Sequence, residues 1–330
     1  MTAPHDPKRR TRLLLALALV VAAAVLAGWF LWPRDGRVEL KTPEQAGGGD
    51  VTLAASFPQP PDEPIRTPHG IAYRNGLLYV SEADAGTIRV FREDGGRVRT
   101  IPVPAASAGT TSYPTDIAFV DGPRLAVVDT AGQRVVLIDT ATGAARAFEA
   151  KAASETPVQP TAVAALSGGE IAIADGADKK VKVYGLDGTY RRALGERLTP
   201  RFTFVTGMAL VGPGELACSD GNAARVLTLD PKTGELVRIL PEQFRLARGI
   251  APESPGVFWV IDALRRRAER WTLDETRTMT VAGDDSPLSP AALLSSPRCA
   301  VWLKSTSRLY VTDPGAAQIK VYNVRVGATR

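Results

Sequence analysis

One sequence pattern recurs six times along this chain and limits what the chain can fold into. The first copy, PHGIAYRNGLLYVSEADAGTIRVF at residues 68–91, reads as an apolar strand, a turn, a second strand that ends in an acid, a polar turn and a third strand. Five later segments repeat this order about 45 residues apart, a spacing typical of repeat architectures. The acids that align in the six copies are Glu82, Asp129, Asp175, Asp220, Asp262 and Asp313.

The segments of each copy have the composition of short β-strands. Second strands such as LLYVSE, RLAVVD and RLYVTD are rich in apolar and β-branched residues and are bounded by Gly, Pro, Asn and Asp. Third strands such as KVKVY alternate in polarity, and turns such as DTATG and DPKTG lead to a fourth strand. Four strands per repeat indicate a propeller blade, so the predicted fold class is an all-β, six-bladed β-propeller.

The chain ends leave one outer strand missing from the last copy. Only VRVGATR follows Asn323, which is too short for a turn and a full strand. Residues 51–57, ahead of the first copy, have the composition to supply that strand. The sequence therefore predicts a propeller over residues 51–330, closed by strand 51–57 joining the last blade.

The repeats resemble those of NHL-repeat six-bladed propellers. Pro68-His69-Gly70-Ile71-Ala72 is similar to the start of an NHL unit, Tyr310-Val311-Thr312-Asp313 to its second strand, and Arg134-Val135 to its third. The resemblance covers about 280 residues and implies an architecture. It implies little about activity, because propellers host binding modules and hydrolases alike.

The chain before the propeller has the pattern of a membrane anchor. Residues 13–32 form an uncharged apolar run of about 20 residues, enough to cross a bilayer as a helix. The basic residues of the tail 1–12 predict a cytoplasmic N-terminus and an extracytoplasmic propeller on a single-pass anchor, joined by a flexible tether at 33–50. A cleaved signal peptide is the alternative, because Val25-Leu26-Ala27 suits a signal peptidase.

The aligned acids are predicted to be structural. A basic residue stands five positions after four of them, so we expect an ion pair and backbone hydrogen bonds to hold the polar turn. Catalysis is the alternative for these acids.

Differences among the copies mark a candidate site. The residue after each repeat's opening position is expected to surround the mouth of the central channel, and Asp116 is the one carboxylate expected within the innermost strands. Arg265, Arg266 and Arg267 are predicted on the same face, in the polar turn of blade five. Guanidinium groups bind carboxylate, phosphate or sulfate oxygens well, which predicts an anion-binding channel mouth. The ring positions are His69, Thr115, Thr161, Thr206, Arg248 and Arg298.

A simpler interpretation of the arginines stays open. They can pair with the neighbouring acids Asp116, Asp262 and Asp313, or keep the surface solvated.

Enzyme chemistry is less favoured by the sequence. The chain has 2 histidines, too few for a three-histidine zinc site, and no serine lies in a Gly-x-Ser-x-Gly motif. A calcium-dependent lactonase or esterase-like propeller is the alternative, with Glu82 and Asp84 leaning toward the axis beside Asp116. We therefore expect a non-catalytic binding or scaffolding module without a cofactor, and calcium only in the alternative.

The predicted extracytoplasmic location of the propeller indicates the class of its partner. An acidic protein, an envelope glycan or a small anion fits a basic extracytoplasmic face, whereas nucleic acid does not.

Cys218 and Cys299 fall in blades four and six, too far apart for a disulfide, which predicts two free thiols.

Overall fold

Six four-stranded antiparallel sheets account for all 24 strands of the part of the chain that the structure describes. This computed structural model describes residues 50–59, 62–241, 244–283 and 286–326. The first strands of neighbouring blades contact one another around the whole ring, including the last blade with the first. The prediction of an all-β six-bladed propeller is therefore confirmed.

Blades one to five each contain four consecutive strands, from the axis outward. Blade one has β2 (Pro68–Arg74), β3 (Leu77–Glu82), β4 (Thr87–Arg92) and β5 (Arg97–Pro102). Blade two has β6 (Pro114–Asp121), β7 (Arg124–Asp129), β8 (Arg134–Asp139) and β9 (Ala145–Ala147). Blade three has β10 (Pro160–Leu166), β11 (Glu170–Asp175), β12 (Lys180–Gly185) and β13 (Tyr190–Leu194).

Blades four and five follow the same plan, and blade six is completed from the other end of the described chain. Blade four has β14 (Val205–Gly212), β15 (Glu215–Asp220), β16 (Arg225–Leu229) and β17 (Leu236–Ile239). Blade five has β18 (Ala247–Ser254), β19 (Val257–Asp262), β20 (Arg267–Thr272) and β21 (Arg277–Ala282). Blade six has β22 (Ala300–Leu303), β23 (Arg308–Asp313), β24 (Gln318–Arg325) and, outermost, β1 (Asp50–Phe57).

Strand β1 closes the ring by pairing antiparallel with β24. Asp50 lies opposite Arg325 and Phe57 opposite Ile319, with a register shift between Leu53 and Ala55. Phe57 is buried and its ring lies 5.2 Å from that of Phe91 in blade one. The closing strand thus joins the last blade and also contacts the first.

The hydrophobic core is divided into six clusters, one between each pair of neighbouring blades. Blades three and four, for example, bury Leu194, Phe202 and Leu216 between them. A single blade would leave both faces exposed to water, so each sheet is stabilised by its two neighbours.

The helical content of the described residues is limited to five short 3₁₀ turns. They are Ala83–Ala85, Ala153–Glu155, Gly221–Ala223, Pro290–Ala292 and Pro314–Ala316. No helix among the described residues is long and apolar enough to span a membrane. The predicted anchor at 13–32, the tail 1–12 and nearly all of the tether 33–50 lie outside the described residues.

Candidate functional site

The aligned acids hold the loops that enter each blade. Asp220 accepts backbone hydrogen bonds from Thr203 at 3.1 Å and Phe204 at 2.9 Å, and Asp313 accepts them from Ser295 at 2.8 Å and Ser296 at 2.7 Å. Equivalent bonds reach Glu82, Asp129, Asp175 and Asp262. The acid therefore fixes the segment just before the innermost strand, which is where the channel mouth begins.

The basic residue five positions after the acid pairs with that acid in some blades but not in others. Arg134 and Arg225, five positions after their acids, bond to Asp129 and Asp220 at 3.1 Å. In blade three Lys180 instead contacts Glu196, and Asp175 pairs with Lys182 at 2.9 Å.

Blades one and six also place the cation seven positions after the acid. Arg89 lies 2.8 Å from Glu82, and Lys320 lies 3.9 Å from Asp313. Seven positions is two residues further along the third strand, so the side chain lies on the same sheet face and still reaches the acid.

A small cavity lies at the end of the ring where the innermost strands begin. We call it the channel mouth, and its volume is about 150 Å³. Every ring position predicted from the repeats lines it, together with Asp116. The lining is His69, Thr115, Asp116, Thr130, Thr161, Phe204, Thr206, Arg248, Gly249, Arg298 and Cys299.

Two arginines from neighbouring blades contribute the positive charge of the channel mouth. The innermost segments of blades five and six approach closely here, because Gly249 N–H donates to the carbonyl oxygen of Arg298 at 2.9 Å. Within the described residues, neither Arg248 nor Arg298 makes an ion pair, and Nε of Arg248 is buried without a hydrogen-bond partner. Asp262 and Asp313 bind loop amides and do not pair with Arg248 or Arg298. The pairing of an arginine with a neighbouring acid is observed instead for Arg265, which lies 3.7 Å from Asp262.

Burial and mutual repulsion shape the electrostatics of the channel mouth. Burial, followed by the charge of Arg298, lowers the pKa of Arg248 to about 10, and burial also lowers the pKa of Arg298. Burial and both guanidinium groups lower the pKa of His69 to about 4. At neutral pH the arginines are charged and His69 is neutral. Nε2 of His69, a residue only 6% exposed, has no hydrogen-bond partner in the described chain.

Asp116 is the single carboxylate of the lining. Its Oδ2 accepts a hydrogen bond from Val163 N at 2.9 Å, which joins the innermost strands of blades two and three. Burial raises the pKa of Asp116 to about 7, because the cavity surrounds it with little solvent.

Most hydroxyl groups of the lining threonines already donate hydrogen bonds within the protein. Thr206 Oγ1 donates to the carbonyl oxygen of Ala247 at 2.6 Å, and Thr115 and Thr130 share a hydrogen bond of 2.7 Å. Their oxygens therefore face a ligand mainly as acceptors.

Arg265, Arg266 and Arg267 are not part of the lining. Their turn lies at the same end of blade five as the channel mouth, because Asp262 pairs with Ala247 at the start of β18. Arg265 lies 3.7 Å from Asp262, and Arg267 contacts Glu269. The structure thus places the turn of these three arginines on the same face as the channel mouth, and their part in ligand binding stays a prediction.

The carboxylates of the calcium alternative also have other contacts. Glu82 binds Arg89 and Thr87, and Asp84 binds Thr67; neither lines the channel mouth. In the described ranges no group of three or more His, Cys, Asp or Glu side chains is arranged to hold a metal ion.

Four lining residues were not predicted from the sequence as residues of the site. Gly249 and Cys299 follow ring positions, Thr130 follows the aligned Asp129, and Phe204 precedes the opening residue of blade four. All are sequence neighbours of positions that the repeat alignment marks, so the signal was present. Cys218 and Cys299 are both free thiols, as predicted, and burial raises the pKa of Cys299 to about 12.

The fold and this cavity define the class of the protein, a closed six-bladed β-propeller with a basic pocket at its channel mouth. No protein-family model matches the chain, and no curated protein matches it. Solved structures share the fold at low sequence identity. A streptogramin B lyase structure has a TM-score of 0.59 and 12% identity over 84% of this chain and 98% of that chain.

Two further structures give the same result. A virginiamycin B lyase from Staphylococcus aureus has a TM-score of 0.61 and 11% identity over 84% of this chain and 99% of its own. A protein of unknown function from Bacteroides thetaiotaomicron VPI-5482 has a TM-score of 0.60 and 16% identity over 85% of this chain and 73% of its own. At these identities the likeness is one of fold.

Proposed function

We propose that this protein is a non-catalytic binding module that takes an anionic ligand at its channel mouth. The observation that carries the proposal is the pair Arg248 and Arg298, two partly buried like charges without an ion-pair partner among the described residues. Buried charges are normally paired, because desolvation is unfavourable without compensation. An oxyanion between these guanidinium groups would supply the missing charge.

The unpartnered atoms of the lining support the same ligand. Nε of Arg248 and Nε2 of His69 are buried without hydrogen bonds within the described residues, although most buried polar atoms in proteins have partners. A carboxylate or phosphate has several acceptor oxygens, which can accept from Nε of Arg248 and, when neutral His69 carries its proton on Nε2, from that nitrogen as well.

The chemistry of the lining favours binding over catalysis. Its one thiol, Cys299, is protonated at neutral pH because burial raises its pKa to about 12. Thr206 donates its proton to a backbone carbonyl, so it has no base to activate it. Thr161 likewise contacts a backbone carbonyl, and Thr115 and Thr130 bond to each other. Among the described residues, no hydroxyl or thiol of the lining thus bonds to His69 or Asp116, the side chains that could act as its base.

The apolar run at 13–32 and the basic residues of the tail 1–12 before it support a membrane-anchored module outside the cytoplasm. An acidic protein, an envelope glycan or a small acid is then the expected class of partner, and nucleic acid is not.

The test is anion binding by the full chain, purified in mild detergent because residues 13–32 are apolar. Phosphate and acetate are titrated by calorimetry at constant ionic strength. We expect Arg248→Ala/Arg298→Ala to weaken phosphate binding at least about tenfold. The double variant should fold, because it removes two buried like charges.

The control is Arg146→Ala/Arg191→Ala, which removes the same charge from exposed positions on the outer strands of blades two and three. It should leave phosphate binding unchanged. Equal phosphate affinity in the native chain and the channel-mouth variant would overturn the proposal.

A further inference from the structure

We infer that the anionic ligand is an acidic sugar at the end of a glycan, with its acid group in the channel mouth and the next, neutral sugar in a cleft between blades one and two. This inference rests on the proposed function and names the ligand class of that site.

Size is the first reason that the ligand extends beyond the channel mouth. Its volume of about 150 Å³ is well below the roughly 300–1,000 Å³ of typical small-molecule sites. The space suits one acid group with part of a ring. A larger ligand must continue elsewhere on the same face.

A second cavity provides that continuation. The cleft between blades one and two has a volume of about 390 Å³ and shares Thr130 with the channel mouth. The Thr115–Thr130 hydrogen bond of 2.7 Å and the edge contact between His69 and Tyr113, with ring centroids 5.7 Å apart, join the two spaces. The cleft is lined by Ala83, Asp84, Thr111, Ser112, Tyr113, Thr130 and Ala131.

The hydrogen-bonding character of both spaces selects a ligand with hydroxyl groups. Beside the two arginines, the channel mouth offers acceptors, because Thr206 donates to Ala247 and Asp116 carries carboxylate oxygens. A simple anion such as sulfate has no donors for these acceptors. A sugar acid combines a carboxylate for the arginines with several hydroxyl donors for the oxygens around them.

The cleft lining favours a sugar over a peptide. Its walls are turns and entry loops of blades one and two, and none of its lining residues belongs to a strand, so the cleft itself offers no strand edge to an added peptide strand. Hydroxyl groups, the Tyr113 ring and Asp84 line it instead. Asp84 would repel a second acid, so the second sugar is neutral.

The test compares three probes on the full chain by calorimetry: glucuronate, cellobiouronic acid, which is glucuronate joined to glucose, and the neutral disaccharide cellobiose. We expect cellobiouronic acid to bind about tenfold more tightly than glucuronate, and cellobiose to show no binding. Ala131→Trp fills the cleft from an exposed turn, and it should remove this tenfold advantage while glucuronate affinity stays within about twofold.

The matched control is Ala141→Trp, which adds the same side chain at an exposed turn between β8 and β9, at the opposite end of blade two. It should retain the full advantage of the disaccharide. If phosphate binds through Arg248 and Arg298 but cellobiouronic acid is no tighter than glucuronate, the glycan inference is wrong and the proposed function stands. If no anion binds, the proposed function itself is wrong.

Discussion

The backbone N–H of Gly249 donates to the carbonyl oxygen of Arg298 at 2.9 Å, and a Cβ atom at position 249 would lie 2.7 Å from Cα of Cys299. Only glycine permits this approach of blades five and six, because the obstructing atom belongs to the backbone. The approach brings the arginine of each blade into one cavity.

We therefore expect Gly249→Ala to lower the free energy of unfolding by about 1–3 kcal/mol and to weaken phosphate binding. Gly212→Ala is the control, since the tightest contact of its Cβ would be with the flexible end of Leu273 at 3.1 Å, and the nearest backbone atom, N of Gly256, lies at 3.8 Å. Urea denaturation and calorimetry measure both effects. Equal stability of the two variants would contradict this account of the blade contact.

Phe57 tests the role of the closing strand. It is buried in the cluster between blades six and one, and it packs against Phe91. We expect Phe57→Ala to reduce the free energy of unfolding by about 3–5 kcal/mol, because it leaves a cavity where the ring closes. Thr52→Ala, at an exposed position of the same strand, should change it by less than about 0.5 kcal/mol. A small effect of Phe57→Ala would mean that β1 contributes little to closure.

The aligned acids should matter for stability and also for the site. Asp220 accepts bonds from Thr203, Phe204 and Arg225, and Phe204 lines the channel mouth. Asp220→Ala should destabilise the fold by about 3–5 kcal/mol, because it leaves a charge and buried amides without their partner.

Asp230 offers a comparison in the same blade, because it also accepts turn amides, from Lys232 and Thr233, but is only partly buried, whereas Asp220 is fully buried. Asp230→Ala should cost about 1 kcal/mol or less. Thermal unfolding of both variants measures the difference, and equal losses would argue against a special role for the aligned acid.

Stability should depend on pH through two opposing groups of the channel mouth. Folding lowers the pKa of His69 from 6.5 to about 4. As the pH falls, the unfolded chain therefore takes up this proton before the folded chain does, so the free energy of unfolding rises with pH from about 4 to 6.5. Folding raises the pKa of Asp116 from 3.8 to about 7. As the pH falls, the folded chain therefore takes up this proton before the unfolded chain does, so the free energy of unfolding falls as the pH rises from 3.8 to about 7.

The two slopes largely cancel in the native chain and should separate in single variants. Relative to the native chain, the free energy of unfolding of Asp116→Asn should rise by about 1–2 kcal/mol from about pH 5 to pH 8. This is less than the full pKa shift of Asp116 would give, because the side chain borders the cavity. His69→Gln should lose stability over the same range. Urea denaturation at both pH values measures the free energy of unfolding. If the Asp116→Asn variant and the native chain differ by the same amount at both pH values, the Asp116 carboxyl is excluded as a source of the pH dependence.

The repeats predicted much of this architecture because each copy carries its own strand and turn signals. The missing outer strand after Asn323 pointed to β1, and the ring positions after each opening residue all line one cavity. The cations of the aligned acids were harder to predict, because two strand positions, five and seven residues on, share one sheet face. Lys182 rather than Lys180 reaches Asp175 for that reason.

The sequence by itself determined the number of blades, the closing strand and the six ring positions at the channel mouth, because these depend on a pattern that is local to each repeat. Only the tertiary structure decided which charges stay without partners and where the cleft opens. Asp262 and Asp313 bind loop amides rather than Arg248 and Arg298, and Tyr113 of one blade contacts His69 of another. Such choices depend on distances between segments far apart in the chain, which packing around the ring sets and no single repeat encodes.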